Sequence, residues 1–123
     1  AGLKKENVDY INAHGTSTKL NDIYETQAIK EVFGDKAYQI PISSTKSMTG
    51  HCLSAAAGVE AVICVKSLIE NTVPPTVNLT EPDAELDLDF VPNTPRKVEL
   101  NHVMSNSFAF GGQNGVCIFS RFK

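Results

Sequence analysis

Residues 50–70 read GHCLSAAAGVEAVICVKSLIE, and this stretch decides the fold. Its length and small-residue content predict one long helix, with Thr49 as its N-cap. Leu53, Val59, Val62, Ile63, Val65, Leu68 and Ile69 leave hardly a polar side to it. Ala55-Ala56-Ala57-Gly58 removes side-chain bulk and lets another backbone come close. A helix apolar all round belongs between layers, not on a surface. Glu60 is the only acid inside the apolar run, and a carboxylate in such surroundings needs a partner. Lys46, in Ser44-Thr45-Lys46-Ser47 just upstream, is the expected one.

Working outward, the chain alternates strands and helices. Residues 8–13 (VDYINA) read as a short buried strand, followed by the polar loop His14-Gly15-Thr16-Ser17-Thr18. Asp22 with Glu25 reads as a capping box that opens a helix ending at Gly34, with Ala28, Ile29, Val32 and Phe33 as its apolar stripe. Residues 39–43 (QIPIS) give a second strand, irregular at Pro41. Pro74-Pro75 opens a long irregular segment to about residue 98, with one further strand expected at 86–91. Mostly irregular segments of that length are usually functional or form interfaces. Strands at 102–107 and 115–121 flank Phe108-Ala109-Phe110-Gly111-Gly112-Gln113-Asn114. This order predicts an α/β fold with helices covering a mixed sheet, and ligands in such folds bind beyond the C-terminal ends of strands.

A chain of 123 residues suffices for one modest domain, and 41% apolar content supports a core. Little of it remains to cover an all-apolar helix on every side. The opening Ala1-Gly2-Leu3 reads as the end of a preceding helix. Both features lead to the expectation that the chain is a segment of a longer protein. Net charge is −3 with scattered Lys and Arg, which argues against a nucleic-acid surface. No apolar run is long and uninterrupted enough for a membrane span, and the start does not read as a signal peptide. The three cysteines, Cys52, Cys64 and Cys117, have no paired spacing, which points to reduced thiols in the cytosol or an organelle. Cys64 and Cys117 read as core residues, and Cys52 as a packing residue rather than a nucleophile. No metal-ligand spacing is present.

The candidate chemistry gathers at strand and helix ends. His14 follows a buried strand, and a neutral imidazole there can donate from one nitrogen and accept at the other. His51 is expected in the first turn of the buried helix, where the helix dipole favours the neutral ring. Backbone N–H groups of the Phe108 to Gly112 loop can face an oxyanion, and its aromatic rings a chain-like ligand. Two histidines and a lysine are thus present without a convincing attacking group.

Three motifs in order, Asn12-Ala13-His14-Gly15-Thr16-Ser17-Thr18, Ser44-Thr45-Lys46-Ser47-Met48-Thr49-Gly50-His51 and Asn106-Ser107-Phe108-Ala109-Phe110-Gly111-Gly112-Gln113-Asn114, closely resemble the elongating type II β-ketoacyl-acyl-carrier-protein synthases. Pro74-Pro75-Thr76 and Leu86-Asp87-Leu88-Asp89-Phe90-Val91-Pro92 extend the resemblance, which covers the whole chain but only about the last third of a family member. The resemblance implies a thiolase-like fold in which the apolar helix is a central layer covered by the other half. It implies decarboxylative condensation of an acyl thioester with a malonyl thioester, with the nucleophilic cysteine in the other half and not in this chain. His14 and His51 would hold the malonyl carbonyl, and Lys46 with Glu60 and Asn106 would support the polar network. Thr16 and Thr18 would contact phosphopantetheine. Phe110, flanked by Phe108, Gly111 and Gly112, would gate the acyl pocket and lend its N–H to an oxyanion hole. No cofactor or metal is implied. The implied partners are acyl carrier protein, the missing N-terminal half and a second copy in a homodimer. Lys19, Ala109 and Gln113 depart from the usual pattern. The isolated chain is expected to be inactive. The alternative is a non-catalytic, chain-length-type companion subunit in a heterodimer.

Overall fold

The computed structural model describes residues 1–122. Its centre is a four-stranded mixed sheet in the order β2-β1-β5-β6. Strand β1 (Tyr10–Asn12) runs parallel to β2 (Ile42–Ser43) on one side and to β5 (His102–Ala109) on the other. β5 then turns back into antiparallel β6 (Gln113–Ser120). Helix α1 is Lys19–Phe33, α2 is the single turn Lys46–Thr49, and α3 is Ala56–Glu70. A separate two-stranded ribbon pairs β3 (Thr72–Val73) with β4 (Arg96–Lys97).

Alternation along β1 divides the core into two. Ile11 faces Ile29 and Phe33 of α1, together with Ala37, Ile40, Ile42 and Leu88. Tyr10 faces Cys64 and Leu68 of α3, together with Val73, Val91, Leu100 and Val103. Successive strand residues point to opposite faces, so a strand apolar at both positions is one covered on both sides. The result is a three-layer arrangement with α1 on one face of the sheet and α3 on the other. Arg121 closes the C-terminal end of α3 by donating to the Leu68 carbonyl, to Asn71 Oδ1 at 2.6 Å and to the Leu100 carbonyl at 3.1 Å. Among the described residues no helix is long and apolar enough to cross a membrane.

The structure corrects several boundaries. The helix expected over residues 50–70 is broken. α2 ends at Gly50, whose φ of +73° favours glycine, and a 3₁₀ turn over Leu53–Ala55 precedes α3. Thr49 is therefore the last residue of α2 and not an N-cap, its hydroxyl bonding back to the Thr45 carbonyl. α3 buries Ala56, Glu60, Cys64, Ser67 and Leu68, but Val62 and Ile69 on its far side are about two-thirds exposed within this chain (64% and 65%). Burial all round is thus met on one face only. The strand expected at 39–43 is just Ile42–Ser43, because a 3₁₀ segment, Gly34–Gln39, takes up its start.

No strand forms at 86–91. Asp89 is drawn to Arg96, and Val91 adopts a φ of +45°, which breaks an extended run. The final hairpin is longer than expected at its turn, so Phe108 and Ala109 are paired in β5. Gly111 and Gly112, at φ +83° and +78°, make the reversal. Cys117 is exposed on edge strand β6 rather than in the core, and Cys52 is exposed too, whereas Cys64 is fully buried.

Candidate active site

The site lies where the C-terminal ends of parallel β1, β2 and β5 meet. Beneath it is a layer of buried polar side chains. The Tyr10 hydroxyl and Ser43 Oγ share a hydrogen bond of 2.8 Å, and Asn12 Nδ2 donates to Thr45 Oγ1 at 3.1 Å. Burial pushes the Tyr10 hydroxyl up from its ordinary pKa and the Cys64 thiol up to about 12, which makes Cys64 a packing group rather than a nucleophile.

Lys46, on α2, reaches Glu60 on α3, and both side chains are almost wholly buried. Burial pushes the Glu60 carboxyl upward, and the Lys46 ammonium opposes that shift. Glu60 thereby has the partner its sequence context demanded. The pair fastens the segment that carries His51 between its two flanking helices.

His14 is buried just past β1, against the Phe108 ring at 5.3 Å between centroids. Burial first, and then the Lys46 charge, hold its imidazole below the ordinary histidine pKa of 6.5, so the ring is neutral at neutral pH. The His51 ring stands edge-on to it, with centroids 5.6 Å apart and planes at 87°. His51 sits in the link between α2 and the 3₁₀ turn, not in the first turn of the long helix as the sequence led us to expect. The reason is local. Leu53 takes a φ of +50° and donates its N–H to His51 Nδ1 at 3.0 Å. That bond fixes the tautomer of a neutral ring: Nδ1 accepts, and Nε2 carries the proton. A strained, non-glycine backbone at a polar cluster is typical of places where geometry is held for chemistry.

The remaining candidates spread outward. Thr16 and Thr18 share a hydrogen bond of 3.0 Å between their hydroxyls on the exposed loop after His14. Thr18 precedes α1 without capping it through its side chain. Asn106 on β5 is buried and near His14 through Glu25. Phe110 stands fully exposed at the hairpin tip beside Gly111 and Gly112. A cavity of about 410 Å³ opens beside the cluster, lined by Gly15, Glu25, Ser44, Lys46 and His51 among others. The irregular segment from Thr76 to Phe90 forms its other wall. His14 Nδ1, Glu60 Oε2 and Asn106 Oδ1 are buried with no hydrogen-bond partner among the described residues, which sets this cluster apart from ordinary core. Among the described residues no group of three or more His, Cys, Asp or Glu side chains is arranged to hold a metal ion.

Glu25 is the residue that the sequence reading misplaced. It does not close a capping box with Asp22, because its carboxylate is engaged elsewhere. Oε1 accepts from the His14 N–H at 2.9 Å and Oε2 from the Gly15 N–H at 2.9 Å. α1 accordingly starts earlier than expected, at Lys19. A signal was available: Glu25, Ile29 and Phe33 recur every four residues and share the buried face of α1. Ser44 belongs to the second motif, and the structure gives it a bond of its own. It closes the loop from the other side, donating from its hydroxyl to the Gly15 carbonyl at 2.5 Å.

A three-layer α/β arrangement with paired histidines and a lysine at the strand ends is the architecture of a ketosynthase-type, thiolase-like half. The chain belongs to the β-ketoacyl synthase family: residues 1–80 match the family model for the β-ketoacyl synthase C-terminal domain. It is 58% identical to 3-oxoacyl-[acyl-carrier-protein] synthase 2 of Coxiella burnetii, over 98% of this chain and 29% of that protein. Nodulation protein E of Rhizobium meliloti is 54% identical, over 98% of this chain and 30% of that protein. Among solved structures, a type II PKS ketosynthase in complex with its acyl-carrier protein superimposes with a TM-score of 0.96 at 40% identity, covering 98% of this chain and 30% of that one. The chain therefore spans about 30% of the length of the relatives it matches.

Proposed function

We propose that this chain supplies the decarboxylating side and the acyl gate of a condensing enzyme's active site, within a full-length protein whose other part supplies the nucleophilic cysteine and covers the apolar far face of α3. The observation that carries this reading is the edge-on His14–His51 pair held over the buried Lys46–Glu60 pair. The cysteine thiolate attacks an acyl thioester carried on acyl carrier protein, and the carrier thiol leaves. The backbone N–H of Phe110 steadies the oxyanion of that step, and its ring gates the acyl pocket.

Malonyl thioester binds next, with Thr16 and Thr18 against its phosphopantetheine arm. The bond to the terminal carboxylate breaks, CO₂ departs, and the electron pair passes into the thioester enolate. Hydrogen bonds from neutral His14 and His51 to the enolate oxygen lower the cost of forming it. The carbanion attacks the acyl-cysteine carbonyl and expels the thiolate, giving a 3-oxoacyl product. Electrons balance within the two thioesters, so the scheme draws on no metal or redox cofactor. The protein acts as a homodimer in the cytosol or an organelle stroma, with acyl carrier protein as its partner. The 123-residue chain alone does not condense. Retention of His14, Lys46 and His51 favours this reading over a non-catalytic companion subunit.

The test is CO₂ release from malonyl thioester by the full-length protein. His14→Ala and His51→Ala are each expected to slow it by about 10²–10³-fold, the range for a lost oxyanion donor. Near-normal release in both variants removes their assigned role.

A further inference from the structure

We infer that Thr76 and Ser47 are positioning residues for the decarboxylation step, a reciprocal clamp that fixes the turn carrying Lys46 and leading to His51 against the far wall of the cavity; this rests on the function proposed above. α2 is a single turn, Lys46–Thr49. A turn so short has no helical stability of its own, so its geometry is set by what it is tied to. On the sheet side Asn12 Nδ2 reaches Thr45 Oγ1, and on the α3 side Glu60 holds Lys46. The third side is the irregular segment that begins at Thr76, and there two hydrogen bonds cross in opposite directions. The Ser44 N–H donates to Thr76 Oγ1 at 3.0 Å, and the Val77 N–H donates to Ser47 Oγ at 3.0 Å. The Ser47 hydroxyl in turn donates to the Ser44 carbonyl at 2.8 Å, which closes the ring on the residue where it began.

Thr76 is itself anchored. Its N–H donates to the Val91 carbonyl and its carbonyl accepts from the Asn93 N–H, each at 2.9 Å. The same segment is tied to β2, where the Ile42 N–H donates to the Asp89 carbonyl at 2.8 Å. The clamp thus gives α2 a second path to the sheet, through chain that lies 30 residues away in sequence. Ser44, Lys46, Ser47, His51, Thr76 and Val77 all line the one cavity. Without the two side-chain oxygens, the Ser44 and Val77 N–H groups lose these partners and the turn is free to shift. A shift of a fraction of an ångström moves the His51 donor against the enolate oxygen, and catalytic rates are steep in such displacements.

The experiment uses the full-length protein and measures decarboxylation of malonyl thioester as kcat and KM, with the thermal midpoint alongside. Thr76→Val keeps the shape of the side chain and removes its oxygen, and Ser47→Ala removes the other. For each we expect kcat per folded protein to fall about tenfold, with KM nearly unchanged and the thermal midpoint only slightly lowered. Thr76→Ser keeps the hydroxyl but loses the methyl group, and it should hold kcat near the parent's; a role in packing alone predicts the reverse order of Val and Ser. Both bonds belong to one ring, so the double variant Thr76→Val/Ser47→Ala should be little slower than the slower single one. Where Thr76→Val does not fold, Ser47→Ala, which adds no bulk, carries the test. Parental kcat in the folded variants, a loss confined to KM, or a Thr76→Ser variant as slow as Thr76→Val overturns the inference. A parent that releases no CO₂ overturns the proposed function and this inference with it, whereas an active parent matched by its Thr76 and Ser47 variants overturns this inference alone.

Discussion

Lys46 and Glu60 form a buried ion pair that ties the single turn before His51 to the long helix after it. A buried pair of this kind is weak evidence for stability in itself, because desolvating two charges offsets much of their attraction. Removing one partner is another matter. Lys46→Met leaves Glu60 buried and unpaired, and we expect a loss of about 3–5 kcal/mol in urea unfolding of the full-length protein. The double variant Lys46→Met/Glu60→Leu, apolar and similar in volume, should recover most of that stability. Decarboxylation should stay low in the double variant, because the His51 link has lost its anchor. Recovery of both together would make the pair scaffold alone.

His14 sets the acid limit of the site. Its folded-state pKa lies below 6.5, with burial as the first cause and Lys46 as the second. The unfolded chain therefore binds a proton at this position at a pH where the folded protein does not. His14's contribution to stability is complete above pH 6.5 and is lost as pH falls from there toward the depressed folded value. Decarboxylation should accordingly hold its rate below pH 6.5, where an ordinary exposed histidine would already be protonated. A pH–rate profile of the full-length protein with an acid limb centred at or above that value would contradict the neutral-donor role.

How much of this was legible in the sequence depends on the range of the interaction. The three layers followed from a strand apolar at successive positions and a helix without a polar side, because burial is what those patterns encode. Lys46 and Glu60 could be paired on paper, since a lone acid in an apolar run leaves few alternatives. The break at Gly50 reads in sequence as a helix start, although Gly50, His51 and Cys52 are weak helix formers; what holds them out of the helix includes a bond from the Leu53 N–H to His51 Nδ1, which no local pattern announces. Glu25 was lost for the same reason. Asp22-x-x-Glu25 satisfies a local capping rule, whereas the winning partners, the N–H groups of His14 and Gly15, lie eleven and ten residues upstream respectively.

Gly15 offers a test of how closely the His14 loop is packed. Its φ is +43°, and a Cβ built there would lie 2.5 Å from Ser44 Cβ and 2.7 Å from Ser44 Oγ. Gly15→Ala thus combines backbone strain with a clash against the side chain that holds the loop. We expect a loss of about 2–3 kcal/mol in stability, with decarboxylation reduced further than folding accounts for. Adding Ser44→Gly removes the clash but not the strain, and also removes the hydroxyl on the Gly15 carbonyl. Partial recovery of the unfolding midpoint without recovery of CO₂ release is the expected pattern.

The two nitrogens of His51 can be separated by substitution. Nδ1 accepts from Leu53 N–H, leaving Nε2–H as the donor available to substrate. Asparagine can place its amide near the position of Nδ1, and glutamine near that of Nε2. His51→Asn can keep the bond to Leu53 but offers nothing to the enolate oxygen. His51→Gln gives up the Leu53 bond and retains an N–H donor on the substrate side. If Nε2–H stabilises the enolate, Gln should keep the greater share of decarboxylation, and Asn should lose about 10²–10³-fold, as for a missing oxyanion donor. Thermal midpoints should run the other way, since Asn preserves the contact that holds the strained Leu53. If instead Asn proves the more active in CO₂ release, His51 acts by shaping the link around Leu53 and not by donating to substrate.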